Sequence, residues 1–155
     1  VITNVAVNDL SDSNSIIVTV AGQGSYVYSI DGIAYQASNV FTNLAPGTYT
    51  VFVKDLNGCG TSIKEVNVLG IPKYFTPNGD GFNDFWNIKG ASSIYGAKIT
   101  ISIFDRYGKF LKQISPLSAG WDGTFNQQRL PSTDYWYTIR FDDGRIVKGH
   151  FALKR

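Results

Sequence analysis

The chain has 155 residues, 43% of them hydrophobic and 17% charged, a composition that belongs to folded protein and leaves room for one large domain or two small ones. Aromatics at 14%, sixteen glycines and no methionine bias it toward strands and turns and away from helices. The single cysteine, Cys59, excludes an intrachain disulfide and a thiolate zinc cluster, and apolar stretches such as Ile16 to Ala21 fall far short of the roughly 20 residues that a membrane-spanning helix needs.

A net charge of +2 hides an asymmetry. Through Gly70, two Lys/Arg stand against five Asp/Glu; from Ile71 onward, twelve stand against seven, so a balance of −3 gives way to +5. The cations are scattered through strands and turns with no Lys/Arg run to follow a phosphate backbone, which argues against a nucleic-acid partner. Val1 opens the chain without Met or a signal peptide, and the expectation is a piece of a longer protein.

Residues 1–70 are predicted as short strands bounded by Asn, Asp, Ser and Gly, the pattern of a β-sandwich. The expected strands are Ile2 to Val7, Ser15 to Ala21, Ser25 to Ile30, Gly47 to Asp55 and Ser62 to Leu69. Asp31-Gly32 supplies the turn pair that a tight hairpin requires. Gly70-Ile71-Pro72-Lys73 breaks the pattern where the charge changes sign, which puts a boundary after residue 70.

Beyond it, strands are expected at Phe85 to Ile88, Lys98 to Phe104, Lys109 to Ser115, Tyr135 to Phe141 and Arg145 to Leu153. Ile99, Ile101 and Ile103 alternate with polar neighbours, as do Tyr135, Tyr137, Ile139 and Phe141. Asp143-Gly144 closes a hairpin. The fold class is therefore all-β, with two consecutive sandwiches.

Several segments carry candidate chemistry. Asn78, Asp80 and Asp84 offer oxygens at the spacing of a calcium loop, with glycines that permit a tight wrap. Thr76 stands at the first ligand position and no Glu follows Asp84, so an Asx-turn network without metal is the alternative. Trp121 is placed to send its indole into the core while Asp122 caps the next turn and Gly123 takes a positive φ, a structural reading set beside direct receptor contact. Arg106 and Tyr107 sit on a hairpin tip with Gly108 as its left-handed residue, as residue types that anchor interfaces. His150 has no nucleophile or orienting partner that the sequence can supply, and Asp142-Asp143 is a turn signal rather than a facing carboxylate pair, so no enzyme activity is expected. Tyr26, Tyr28, Tyr35 and Trp136 are the aromatics that an adhesive or carbohydrate-binding module would expose.

Two stretches, Tyr26-Val27-Tyr28-Ser29-Ile30-Asp31-Gly32 and Leu44-Ala45-Pro46-Gly47-Thr48-Tyr49-Thr50-Val51, followed by Asp55-Leu56-Asn57-Gly58-Cys59, resemble the immunoglobulin-like repeats of large Bacteroidetes adhesins of the gliding-motility type. The second half resembles the type B C-terminal sorting domain of the type IX secretion system. That resemblance rests on Phe75-Thr76-Pro77-Asn78-Gly79-Asp80-Gly81-Phe82-Asn83-Asp84-Phe85-Trp86, Ile103-Phe104-Asp105-Arg106-Tyr107-Gly108-Lys109, Gly120-Trp121-Asp122-Gly123-Thr124, Leu130-Pro131-Ser132-Thr133-Asp134-Tyr135-Trp136-Tyr137, and Lys148-Gly149-His150-Phe151-Ala152-Leu153-Lys154-Arg155.

The resemblance implies two immunoglobulin-like sandwiches, 1–70 an adhesin repeat and 71–155 the secretion signal. It implies export through the periplasm and outer membrane to the cell surface or medium, with a PorP/SprF-like outer-membrane protein and the type IX translocon as partners. Lys154 and Arg155 join Arg106, Tyr107, Trp121 and Asp122 as candidate partner contacts. Some of the adhesin repeats carry a second cysteine that this one lacks.

Overall fold

Alternation of apolar and polar residues becomes paired strand through the first seventy residues of the computed structural model, which describes residues 1–58 and 60–155. Cys59 lies outside the described residues. The chain divides into two units, Val1–Gly70 and Ile71–Arg155.

In the first unit the strands are β1 (Ile2–Asn8), β2 (Asn14–Val20), β3 (Tyr26–Ser29), β4 (Val40–Leu44), β5 (Gly47–Asp55) and β6 (Thr61–Val68). They pair as two three-stranded sheets, β1-β2-β4 and β3-β5-β6. Ile16, Val18 and Phe41 from one sheet meet Tyr28, Val51, Val53, Val66 and Val68 from the other in a single core. Strands one, two and four opposite three, five and six is the layering of an immunoglobulin-like sandwich with one strand fewer. The tyrosine corner of that fold is present too: Tyr49, at the start of β5, donates its hydroxyl back to the Ala45 carbonyl at 2.8 Å.

Two expectations for this unit need correction. Asp31-Gly32 does not close a tight hairpin. β3 pairs with β5, and the segment after it forms a wide loop closed by reciprocal bonds between Tyr28 and Gln36. Asp31 organises that loop by accepting from the Ile33 and Ala34 amides and the Ser29 hydroxyl. Strand β4 was not expected, because Asn43 bends it with φ of 56° and its formation depends on a distant partner, β2.

The second unit contains β7 (Tyr74–Phe75), α1 (Ser93–Gly96), β8 (Thr100–Phe104), β9 (Phe110–Ile114), β10 (Thr124–Phe125), β11 (Gln128–Arg129), β12 (Asp134–Arg140) and β13 (Ile146–Leu153). Five of these strands form one sheet in the order β7-β13-β12-β8-β9, antiparallel except that β7 runs parallel to β13. Asp143 and Gly144 do turn β12 into β13: Gly144 has φ of 86°, its amide bonds the Phe141 carbonyl, and Asp143 accepts from the Arg145 amide. A second tyrosine corner stands at the start of β12, where the Tyr135 hydroxyl donates to the Pro131 carbonyl at 2.8 Å.

Phe85 to Ile88 is not a strand. Trp86 makes one reciprocal backbone pair with Trp121, at 2.9 Å each way, and the ladder stops there. Asn87 interrupts it by accepting from the Ile88 amide and donating to the Ser115 and Ser118 carbonyls. The layer opposite the five-stranded sheet is thus built mainly of turns, and aromatic rings fill it. Trp86, fully buried, lies flat on Phe151 with centroids 3.9 Å apart, and stacks on Tyr137 at 5.3 Å. Trp121 meets Tyr135 edge-on at 5.0 Å and Phe75 at 5.7 Å. Each indole N–H is satisfied, Trp86 by the Pro72 carbonyl and Trp121 by that of Thr124.

Candidate functional site

The segment 78–84 is a closed hydrogen-bonded loop. Asp84 accepts the Asn78 and Gly79 amides on Oδ1 and the Gly81 amide on Oδ2, at 2.8–3.0 Å. Asn78 Oδ1 takes the Asp80 amide, Asp80 Oδ1 takes the Phe82 amide, and the Asn78 side-chain amide donates to Asp80 Oδ2. Both Gly79 and Gly81 adopt positive φ, which lets successive amides turn toward the carboxylate. The amides, Gly81 first, hold the Asp84 carboxyl below the usual carboxylate range against a smaller opposing effect of desolvation. The oxygens that calcium would take from Asn78, Asp80 and Asp84 are therefore aimed at N–H donors. Among the described residues, no group of three or more His, Cys, Asp or Glu is placed to hold a metal ion.

The tip between β8 and β9 is built the same way on a smaller scale. Asp105 Oδ1 accepts the Tyr107 and Lys109 amides at 2.9 Å, and Gly108 takes φ of 81° to close the turn. The turn pushes Arg106 and Tyr107 outward, and Tyr107 is 85% exposed. Arg106 contributes to the lining of two hollows. One, of about 180 Å³, runs toward Phe125, Leu130 and Tyr135; the other, of about 290 Å³, runs across Phe104, Trp136 and Lys148.

Three of the expected contacts are used internally. Trp121 is 1% exposed under the aromatic cluster, so of its two readings the structural one describes it and the direct receptor contact is the one corrected. Asp122 Oδ1 accepts both the amide and the hydroxyl of Thr124, fixing the turn in which Gly123 has φ of 80°. Arg155 is a clasp rather than a free contact: its guanidinium donates to the carbonyls of Leu130, Pro77 and Gly123, and its amide to the Ser132 hydroxyl. Lys154 places its ammonium 4.9 Å from the centre of the Tyr74 ring.

Of the aromatics that an adhesive module would expose, Tyr28 is buried in the core of the first unit, whereas Tyr35 and Trp136 are exposed. His150 faces the Asp134 carboxylate at 3.6 Å and lies beside Trp136 with ring centroids 5.9 Å apart. Phe104 and Phe110, not anticipated as surface groups, pack edge to face at 5.9 Å on neighbouring strands. Their places in alternating strands were visible in the sequence, but which face remained uncovered was not.

The family model of the CHU_C type IX secretion signal domain matches residues 69–153. No curated protein matches the chain. Similar solved structures include the BSP domain of a biofilm-associated protein (14% identity, 99% of this chain and 29% of that one, TM-score 0.34). They also include dimeric latent PorU from Porphyromonas gingivalis (15%, 98% and 20%, TM-score 0.35) and the 47-kilodalton lipoprotein Tp47 of Treponema pallidum (15%, 97% and 50%, TM-score 0.29). The chain spans between a fifth and a half of those chains, and similarity at this level carries no functional argument.

Proposed function

The chain belongs to the CHU_C type IX secretion signal domain family through residues 69–153, and from that premise we propose that Ile71–Arg155 is an address read as a folded surface by a PorP/SprF-like outer-membrane protein. In this reading Val1–Gly70 is one immunoglobulin-like repeat of a large surface adhesin that the address escorts. A type IX secretion signal directs export to the cell surface or medium. Among the described residues no helix is long and apolar enough to cross a membrane.

The observation that supports a folded address is where the family-like motifs fall. Asp84, Asp105 and Asp122 each hold a turn through backbone amides, Trp86 and Trp121 fill the core, and Arg155 ties three loops. Residues so engaged shape a surface; they do not present a linear tag. The reading includes no catalytic step, and generic ester, peptide and glycoside substrates are expected to remain unturned.

The test is a reporter carrying the full chain at its C-terminal end, expressed in a bacterium that possesses a type IX system. The fusion is expected on the surface or in the medium, and a matched fusion lacking residues 71–155 is expected in the periplasm. Retention of a folded, stable full fusion in the periplasm would refute the proposal.

A further inference from the structure

One face of the five-stranded sheet packs on the aromatic core; the other is left open. Strand register places His150 of β13 opposite Trp136 of β12, Trp136 opposite Phe104 of β8, and Phe104 opposite Phe110 of β9. Because side chains alternate across a strand, these four project from the same, outer face and form a row running across the strands. Trp136 is 39% and Phe110 50% exposed, and Tyr74 on the edge strand β7 extends the apolar surface. The next row carries Lys148 opposite Thr138 and Ser102, and Arg140 follows beyond it. The hollow of about 290 Å³ lies between the aromatic row, Lys148 and the Arg106 tip.

Charge on this face is unbalanced in a particular way. Asp105 is committed to the amides of its own turn and Asp134 faces His150. Among the described residues, Arg106, Lys148 and Arg140 form no ion pair with a carboxylate. Unpaired cations around an apolar centre match a protein surface with the opposite arrangement, an apolar anchor rimmed by Asp or Glu. A sugar platform fits less well. Phe104 and Phe110 meet at 70° and Trp136 is inclined 36° to His150, which gives ridges and a hollow in place of a flat stacking surface.

We propose that the export machinery grips the domain on this outer sheet face, along His150, Trp136, Phe104 and Phe110, through an apolar protein surface bordered by carboxylates that pair with Arg106 and Lys148. This rests on the secretion-signal reading and assigns it a face.

The test uses the full chain as a C-terminal fusion in a host with a type IX system, comparing three variants with the parent. Arg106→Glu/Lys148→Glu reverses the cations, Trp136→Ser removes the central ring, and Lys89→Glu/Arg129→Glu makes the same net charge change at exposed positions outside the row. Melting curves of each purified chain establish folding. The expected result is at least a tenfold loss of surface export for the first two variants and parental export for the third. Trp136→Ser that melts early is set aside, and the charge pair, both positions being exposed, decides alone. Parental export by a folded Arg106→Glu/Lys148→Glu chain would overturn the assignment of the face while leaving the signal intact. Export lost equally in the Lys89→Glu/Arg129→Glu chain would overturn it in favour of net charge. Export unaffected by Trp136→Ser, with binding of the chain to a glycan array abolished, would overturn it in favour of a carbohydrate site. A parental fusion that stays in the periplasm would instead overturn the signal reading and this inference with it.

Discussion

Replacing Trp86 tests whether the turn-built layer of the second unit is held by ring stacking. The indole is fully buried, lies on Phe151 at 3.9 Å and donates to the Pro72 carbonyl at 2.9 Å. Truncating such a ring to alanine costs about 3–5 kcal/mol, from lost burial plus the cavity left behind. Phenylalanine keeps most of the stack and loses the hydrogen bond, so Trp86→Phe is expected to cost about 1 kcal/mol. Against about 5–10 kcal/mol of total stability for a domain of this size, the alanine variant gives up a large share. All three tryptophans, Trp86, Trp121 and Trp136, lie after residue 70, so indole fluorescence during urea unfolding follows the second unit alone. The expected outcome is a lowered midpoint with an unchanged slope for both variants, in the ratio above. An alanine variant within about 1 kcal/mol of the parent, or equal losses for Phe and Ala, would show that the stack does not hold this layer.

Asp84 gives a pH signature. Its carboxyl is held below the usual value by the Gly81, Gly79 and Asn78 amides, so its stabilisation is complete above an unfolded-state pKa of about 4 and is lost as pH falls through the lower folded value. The melting midpoint of Asp84→Asn is expected to lie below that of the parent at neutral pH and to converge with it in acid; a gap independent of pH would refute this. For the same loop, chelation with EDTA is expected to leave the midpoint unchanged, because amides already engage the acidic oxygens, and a rise of several degrees on adding millimolar calcium would refute that. Arg155→Ala removes donors to three loop carbonyls and is expected to lower the midpoint of the second unit by several °C, about 1 kcal/mol or more. Arg155→Lys is expected to recover only part, since a single ammonium cannot span the fork of acceptors, and full recovery would refute the clasp.

Much of the fold was legible because it is local. Period-two alternation located β2, β5, β8, β12 and β13 to within a residue or two, and Asp105 with Gly108 and Asp143 with Gly144 marked two hairpins through their own side chains and φ preferences. Elements that owe their existence to distant partners were not. Strand β4 and the two-residue β7 form against β2 and β13, and the β10–β11 hairpin turns on Asn126 and Gln127, both at positive φ without a glycine to announce it. At Phe85 to Ile88 the alternation was present, but Asn87 captured the backbone groups a ladder would have needed.

The candidate site divides along the same line. That Arg106 and Tyr107 stand on a turn and that Trp121 enters the core follow from residue types and spacing, whereas the kinship of the second half with a secretion signal rests on the resemblance of its motifs and on the family model that matches residues 69–153. That Arg155 is consumed by three carbonyls, and that Phe104, Trp136 and His150 line up across neighbouring strands, depends on contacts between segments up to 78 residues apart. Alternation determines which residues share a face of one strand, whereas only the assembled sheet decides which strands are neighbours and which of its two faces is left open to a partner.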